Sequence, residues 1–154
     1  MPLIELETEV RAPRERCFDL ARDIDLHVAS MKGTGERAVD GRMTGLIGLG
    51  EEVTWEARHL GVRQRFTSRI TAFQSPGYFQ DCMVRGAFRS FVHDHYFEAR
   101  GRNTLMRDVV AFRSPLGSLG RVVDAVFLSR YLHALLLERQ QVVKAAAEGV
   151  GPGG

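Results

Sequence analysis

The chain has 154 residues, a length that suits one domain with a core large enough to spare room for a ligand cavity. Lys and Arg number 21 against 19 Asp and Glu, and the formal charge of +2 gives no footing for a polyanionic partner such as nucleic acid or an acidic membrane surface. Cys17 and Cys82 stand in unlike contexts without C-x-x-C or Cys/His spacing, so they predict reduced, buried fillers instead of a redox motif or structural zinc.

No basic start followed by an apolar run marks a signal peptide, and no apolar stretch approaches the ~20 residues needed to span a bilayer, so the cytoplasm is the expected location. Leu3 to Ala12 alternates, with Ile4, Leu6, Thr8, Val10 and Ala12 on one face, the pattern of a half-buried strand. Pro13 ends it and suits the first turn of a helix whose apolar positions are Cys17, Phe18, Leu20 and Ala21. Asp25 is placed to cap a second short helix over 26–31, before Gly33 and Gly35 interrupt the pattern.

From about Glu36 to Arg113 the period is close to two, with turn signals at 45–50, Leu60-Gly61, Ser75-Pro76-Gly77, Gly86 and Gly101-Arg102-Asn103. That spacing predicts an antiparallel meander of six strands. Pairing the strands about their turns sets Trp55 opposite Phe66, Val53 opposite Ser68, Phe79 opposite Ala72 and His93 opposite Asp81, with Asp108 brought beside His93 and His95. The other face carries Glu52, Thr54, Glu56 and Arg58 against Arg63, Arg65, Thr67 and Arg69. Arg65 then falls opposite Glu56 and Arg69 opposite Glu52, which reads as cross-strand ion pairs on a wet surface instead of a polyanion site.

Within the meander, Phe79 to Phe97 is the most informative stretch. Alternate positions put Asp81, His93 and His95 among Phe79, Met83, Phe91 and Phe97, and side chains two apart on a strand share a face. An aromatic face holding two histidines and an aspartate predicts a cavity wall with a polar feature. Beyond the meander, an apolar stripe through Leu119, Val122, Val123, Val126, Tyr131, Leu132, Leu135, Leu136, Val142 and Val143 predicts a helix over about 118–148, with a disordered tail over 150–154.

The order of strand, two short helices, six meandering strands and a long final helix resembles the helix-grip fold of the START and polyketide-cyclase (SRPBCC) superfamily. Gly45-Leu46-Ile47-Gly48-Leu49-Gly50-Glu51-Glu52-Val53-Thr54-Trp55, Arg69-Ile70-Thr71, Phe79-x-Asp81, Gly86-x-Phe88-x-x-Phe91-x-His93-x-His95-x-Phe97 and Pro115-Leu116-Gly117 are similar to a bacterial subfamily of it. The resemblance implies an α+β domain over 1–149, a curved seven-stranded antiparallel sheet wrapped around a long C-terminal helix with two short helices after the first strand, and a hydrophobic cavity between sheet and helix. It carries over no catalytic residue set, because this fold hosts many chemistries.

His93 or His95 paired with Asp81 or Asp108 could serve as a general base or acid, since opposed strand residues have Cβ atoms ~4.5 to 5.5 Å apart. A satisfied polar network that orients a ligand needs the same residues without catalysis. H-x-H with nearby carboxylates can also hold a metal, but the motif lacks a third strong ligand at a predictable place, because His59 lies near a strand end and His27 and His133 fall on helices. No metal or other cofactor is therefore expected. The 45–50 segment lacks the Lys-Ser/Thr of a phosphate loop and reads as a turn whose Leu46, Ile47 and Leu49 lie near the cavity mouth with Met31, as a gate or as plain packing.

The expected function is binding or transport of a small hydrophobic molecule, lipid or polyketide-like, with a cofactor-independent cyclase or dehydratase as the alternative and a protein-docking module as a third reading. The expected ligand contacts are Trp55, Phe66, Phe79, Asp81, Phe91, His93, His95, Phe97, Met106, Asp108 and Phe112. Neither nucleic acid nor stable membrane insertion is expected.

Overall fold

The computed structural model describes residues 2–114 and 124–149. In chain order these form β1 (Leu3–Val10), α1 (Arg14–Ala21), α2 (Ile24–Ser30), a 3-10 turn (Lys32–Thr34), β2 (Arg37–Gly41), β3 (Glu52–His59), β4 (Val62–Gln74), β5 (Tyr78–Arg85), β6 (Ser90–Arg100), β7 (Asn103–Arg113), a π-helical turn (Asp124–Leu128) and α3 (Ser129–Ala147). The strands make one antiparallel sheet in the order β1-β7-β6-β5-β4-β3-β2, so the α+β architecture read from the sequence is the observed one. The expected beginning of the last helix at 118, its Leu119, Val122 and Val123, the Pro115-Leu116-Gly117 motif and the 150–154 tail lie outside the described residues.

Local chemistry explains where the elements start and how they pair. Asp23, not Asp25, caps α2: its carboxylate accepts from the backbone N–H of Asp25 at 2.9 Å and of Leu26 at 3.2 Å. Asp25 instead accepts from Thr44 Oγ1 and the Gly45 N–H, tying the helix to the 45–50 loop. Leu60 and Gly61 both sit at positive φ, 54° and 79°, the geometry of a two-residue hairpin whose twist matches its strands. That turn fixes the β3–β4 register with Trp55 opposite Phe66 and Val53 opposite Ser68, as expected.

The β4–β5 pairing departs from expectation. Residues Ser75 to Gly77 form the turn, so Gln74 pairs with Tyr78, Phe73 with Phe79 and Ala72 with Gln80; farther along, a bulge between Ile70 and Ala72 shifts the register by one and sets Ile70 opposite Asp81. Centring the turn on Pro76 gives the observed Phe79–Phe73 pair in place of Phe79–Ala72, and the extra residue beyond it bends the strand and increases its twist. Cys17 is buried but Cys82 is only half-buried, pointing to the opposite face from Asp81 with its Sγ 3.3 Å from Thr71 Oγ1.

Two apolar clusters fasten the layers. Phe18 of α1 is fully buried and meets Phe73, Phe79 and Phe97 edge-on at centroid distances of 5.2–5.5 Å. Each such ring pair contributes about 0.5–1.5 kcal/mol beyond area burial. The second cluster joins Ile4, Leu6, Val110 and Phe112 of the sheet to Leu132 and Leu136 of α3. The stretch of sheet between these clusters is where the layers stand apart.

Candidate functional site

A cavity of ≈ 190 Å³ opens between the inner sheet face, α2 and α3. Its wall is mostly apolar: Trp55 and Val53 from β3, Phe66 and Ile70 from β4, Phe79 from β5, Phe91 from β6, Ile24 and Met31 around α2, and Leu132, Leu135 and Leu136 from α3. Alternation along the strands turns these side chains to one side, and the helix supplies its stripe at i, i+3, i+4.

Asp81, His93 and His95 break this wall. β5 and β6 pair with Asp81 opposite His93, and β6 and β7 pair with His95 opposite Asp108. The side chains interlock along the diagonals: His93 Nε2 lies 2.7 Å from Asp108 Oδ1, and His95 Nε2 lies 2.7 Å from Asp81 Oδ2. The other nitrogen of His95, Nδ1, is 3.1 Å from the same Asp108 Oδ1. The two imidazoles stack at 3.7 Å between centroids, and Phe79 stacks on His95 at 4.0 Å. Ser68 donates to Asp81 Oδ1 at 3.1 Å, and Gln140 of α3 donates to Asp108 Oδ2 at 2.6 Å.

Burial and charge act in opposite directions here. Burial pushes the Asp81 carboxyl up, but the His95 hydrogen bond and the charges of both histidines bring it to about 2. Asp108 is held well below the ordinary carboxylate value for the same reasons, its hydrogen bonds from His93 and His95 outweighing burial. For His95, burial favours the neutral ring, yet its bonds to Asp108 and Asp81 raise the pKa overall. His93 goes the other way, lowered by burial and by the charge of His95. An ionised carboxylate only accepts, so the proton of neutral His93 sits on Nε2 and its Nδ1 carries a lone pair. That Nδ1 has no hydrogen-bond partner among the described residues.

Seven of the expected contact residues, Trp55, Phe66, Phe79, Asp81, Phe91, His93 and His95, line the cavity. Phe97, Met106, Asp108 and Phe112 face inward without lining it. Phe97 and Met106 belong to the cluster around Phe18, Phe112 packs beneath α3, and Asp108 stands behind the histidines. Facing inward is not enough where another layer already covers the face.

Other cavity residues escaped the sequence reading. His27, set aside above as a helix residue, stacks on Trp55 at 4.1 Å, pairs through Nε2 with Glu36, and accepts at Nδ1 from Arg139 Nε at 3.1 Å. Arg139 also donates to the Ala21 carbonyl at 2.6 Å, bridging α3 to the end of α1. His59 meets the Tyr131 hydroxyl at 2.8 Å, while His133 is exposed. Of the loop residues read as a gate, Ile47 and Met31 are buried against the cavity, whereas Leu46 and Leu49 face outward. The loop is pinned by Ile24 N–H to the Gly45 carbonyl and Ile47 N–H to the Arg22 carbonyl. A signal for Gln140 and Arg139 was present: both are polar residues set between Leu136 and Val143 on an otherwise apolar helix stripe.

Among the described residues no helix is long and apolar enough to cross a membrane. The sequence matches no protein-family model and no curated protein. Its structure is similar to a protein of Thermus thermophilus (TM-score 0.73, 18% identity, 95% of this chain and 99% of that one). It is also similar to a START superfamily protein of Mycobacterium smegmatis (TM-score 0.71, 12% identity, 96% and 97%) and to major latex-like protein 151 of Panax ginseng (TM-score 0.68, 17% identity, 95% and 97%). Covering nearly the whole of each chain at such low identity, these similarities establish that the chain has the helix-grip fold.

Proposed function

We propose that the protein binds a small, mostly apolar molecule between sheet and α3 and holds one polar group of it at the Asp81–His93–His95 corner. The observation that carries this reading is an apolar cavity whose polar corner presents an unengaged lone pair, on His93 Nδ1, beside the Asp81 carboxylate. Ligand sites have this composition: hydrophobic walls for affinity and a few placed polar groups for orientation. The START-like fold points the same way.

Volume limits the ligand. About 150 Å³ accommodates a benzene ring, so ≈ 190 Å³ takes one substituted ring, or the head of a longer lipid or polyketide chain whose remainder emerges at the mouth. A docking module with an incidental cavity is disfavoured, because the side chains of the described residues leave this space open. The unpaired Cys17 and Cys82 fit a reducing compartment such as the cytoplasm.

Mass spectrometry of the purified protein, native and after organic extraction, tests the reading. A hydrophobic molecule retained near 1:1 by the wild type and lost from Phe91→Asp, with Phe91 on the cavity wall, is the expected outcome. Equal retention by the variant would remove the cavity as the binding place.

A second reading has its own observation. His93, with its Nε2 proton directed at Asp108 and its Nδ1 unengaged, has the base-and-orienter arrangement of acid–base catalysis. In a cyclase or dehydratase it would take a proton from the bound molecule. His93→Ala would then abolish turnover while leaving ligand affinity close to wild type, and unchanged turnover would end this reading.

A further inference from the structure

We propose that Asp81, His93 and His95 form a binding site for one divalent first-row transition ion, of the zinc or ferrous class, facing the cavity. One ligating atom from each residue lies within 4.8 Å of those of the other two. Two imidazoles and one carboxylate are a donor set such ions take, with further positions left to water or a ligand oxygen.

Proximity alone would be weak, since His–Asp contacts also serve structure. The surroundings carry the argument further. A metal-bound imidazole ordinarily donates its second N–H to a carboxylate or carbonyl, which fixes its tautomer and orientation. Here one buried oxygen does this for both rings: Asp108 Oδ1 is 2.7 Å from His93 Nε2 and 3.1 Å from His95 Nδ1. That assignment leaves His93 Nδ1 and His95 Nε2 as the ligating nitrogens. Asp108 is itself held, because Gln140 donates to its Oδ2 and also to the Leu6 carbonyl. Ser68 anchors Oδ1 of Asp81, leaving Oδ2 as the ligating oxygen beside His95 Nε2.

The ligating atoms, within 4.8 Å of one another, must settle toward a common spacing. With metal–ligand bonds of about 2.0–2.1 Å, tetrahedral neighbours stand roughly 3.3 Å apart. The 2.7 Å between His95 Nε2 and Asp81 Oδ2 must therefore widen by about 0.6 Å as the ion replaces the proton between them. Asp81 is the partner with room to move: its side chain is 19% exposed, against 2% for His95. The remaining coordination positions face an apolar cavity, so a bound ion would present a Lewis acid to whatever enters. The site does not depend on the identity of any apolar ligand, and metal binding can be measured apart from ligand retention.

The test uses the full chain stripped with a chelator and titrated with Zn²⁺ by calorimetry and with Co²⁺ by visible absorption. The expected result is saturation at 1:1 with micromolar or tighter affinity, and the d–d absorption of a four- or five-coordinate Co²⁺. His93→Ala and Asp81→Asn should each weaken Zn²⁺ binding by at least 100-fold, and Asp108→Asn by 10–100-fold, the usual cost of losing an outer carboxylate. His133→Ala, on the exposed face of α3, should bind as the wild type does. Asp81→Asn keeps the side-chain shape, and its fold can be checked by circular dichroism. Absence of 1:1 binding by the wild type would overturn the proposal. So would an affinity that a folded Asp81→Asn or His93→Ala leaves unchanged.

Discussion

His59 and His95 both sit on the cavity wall and both lose water, yet they are driven in opposite directions. His59 has the Tyr131 hydroxyl for a partner, and burial lowers its pKa, with only a distant Glu36 opposing. His95 is more deeply buried, but Asp81 and Asp108 flank its two ring nitrogens and raise its pKa despite the burial. Burial alone therefore does not set the direction: the flanking carboxylates outweigh it at His95, whereas at His93 burial and the charge of His95 outweigh the bond to Asp108.

The comparison can be broken hardest at Asp108. Asp108→Ala removes the acceptor shared by His93 and His95 and leaves Gln140 without its main partner. Stripping one partner from a buried charged network costs about 3–5 kcal/mol, so the urea midpoint should fall sharply. A loss within the range of ordinary surface substitutions would mean that the histidines do not need this carboxylate.

A smaller, signed effect belongs to His59. Its folded pKa lies below the 6.5 of the unfolded chain. Above about pH 6.5 both states hold the ring neutral, and its contribution does not change. As pH falls through 6.5, the unfolded chain takes up a proton that the fold resists, and stability drops. Urea midpoints from pH 7.5 down to 5.5 should decline more steeply for the wild type than for His59→Gln, and parallel curves would show that the burial is not felt.

The least effect is expected on the outer sheet face. There Glu56, itself covered by the side chains around it, contacts Arg37 at 2.9 Å and Arg65 at 3.1 Å, and both arginines are about two-thirds exposed. Solvent and salt screen such pairs. Glu56→Gln should leave the unfolding midpoint unchanged at physiological ionic strength, with a small loss emerging only at low salt. A large loss at high salt would show that the outer network resembles the inner one.

Much of this contrast was legible in the sequence, because period-two alternation about a short turn fixes which side chains share a face. Leu60-Gly61 set Trp55 against Phe66 correctly, and the same logic paired Asp81 with His93. It missed by one at Phe79, where a turn centred on Pro76 sets Phe73 and not Ala72 opposite, and it did not announce the bulge between Ile70 and Ala72. It also could not separate cavity wall from packed core: Phe97 and Phe112 alternate as Phe91 does, but α1 and α3 already cover them. The cap moved from Asp25 to Asp23 because both are acidic residues before the same helix, and only the backbone path chooses between them. His27, Arg139 and Gln140 come from helices, and their approach to the sheet is a tertiary fact that strand alternation does not encode.

Gln140 is where the helix and the polar corner are one piece of architecture. Its amide reaches Asp108 on β7 and the Leu6 carbonyl on β1, so a single side chain both steadies the histidines' acceptor and rivets α3 to the sheet edge. A cavity redesigned for another occupant cannot trade away its acidic anchor in isolation, because that exchange would also loosen one of the polar ties between helix and sheet. Ligand preference and mechanical integrity must be altered together here, with the rivet recut to suit the new anchor.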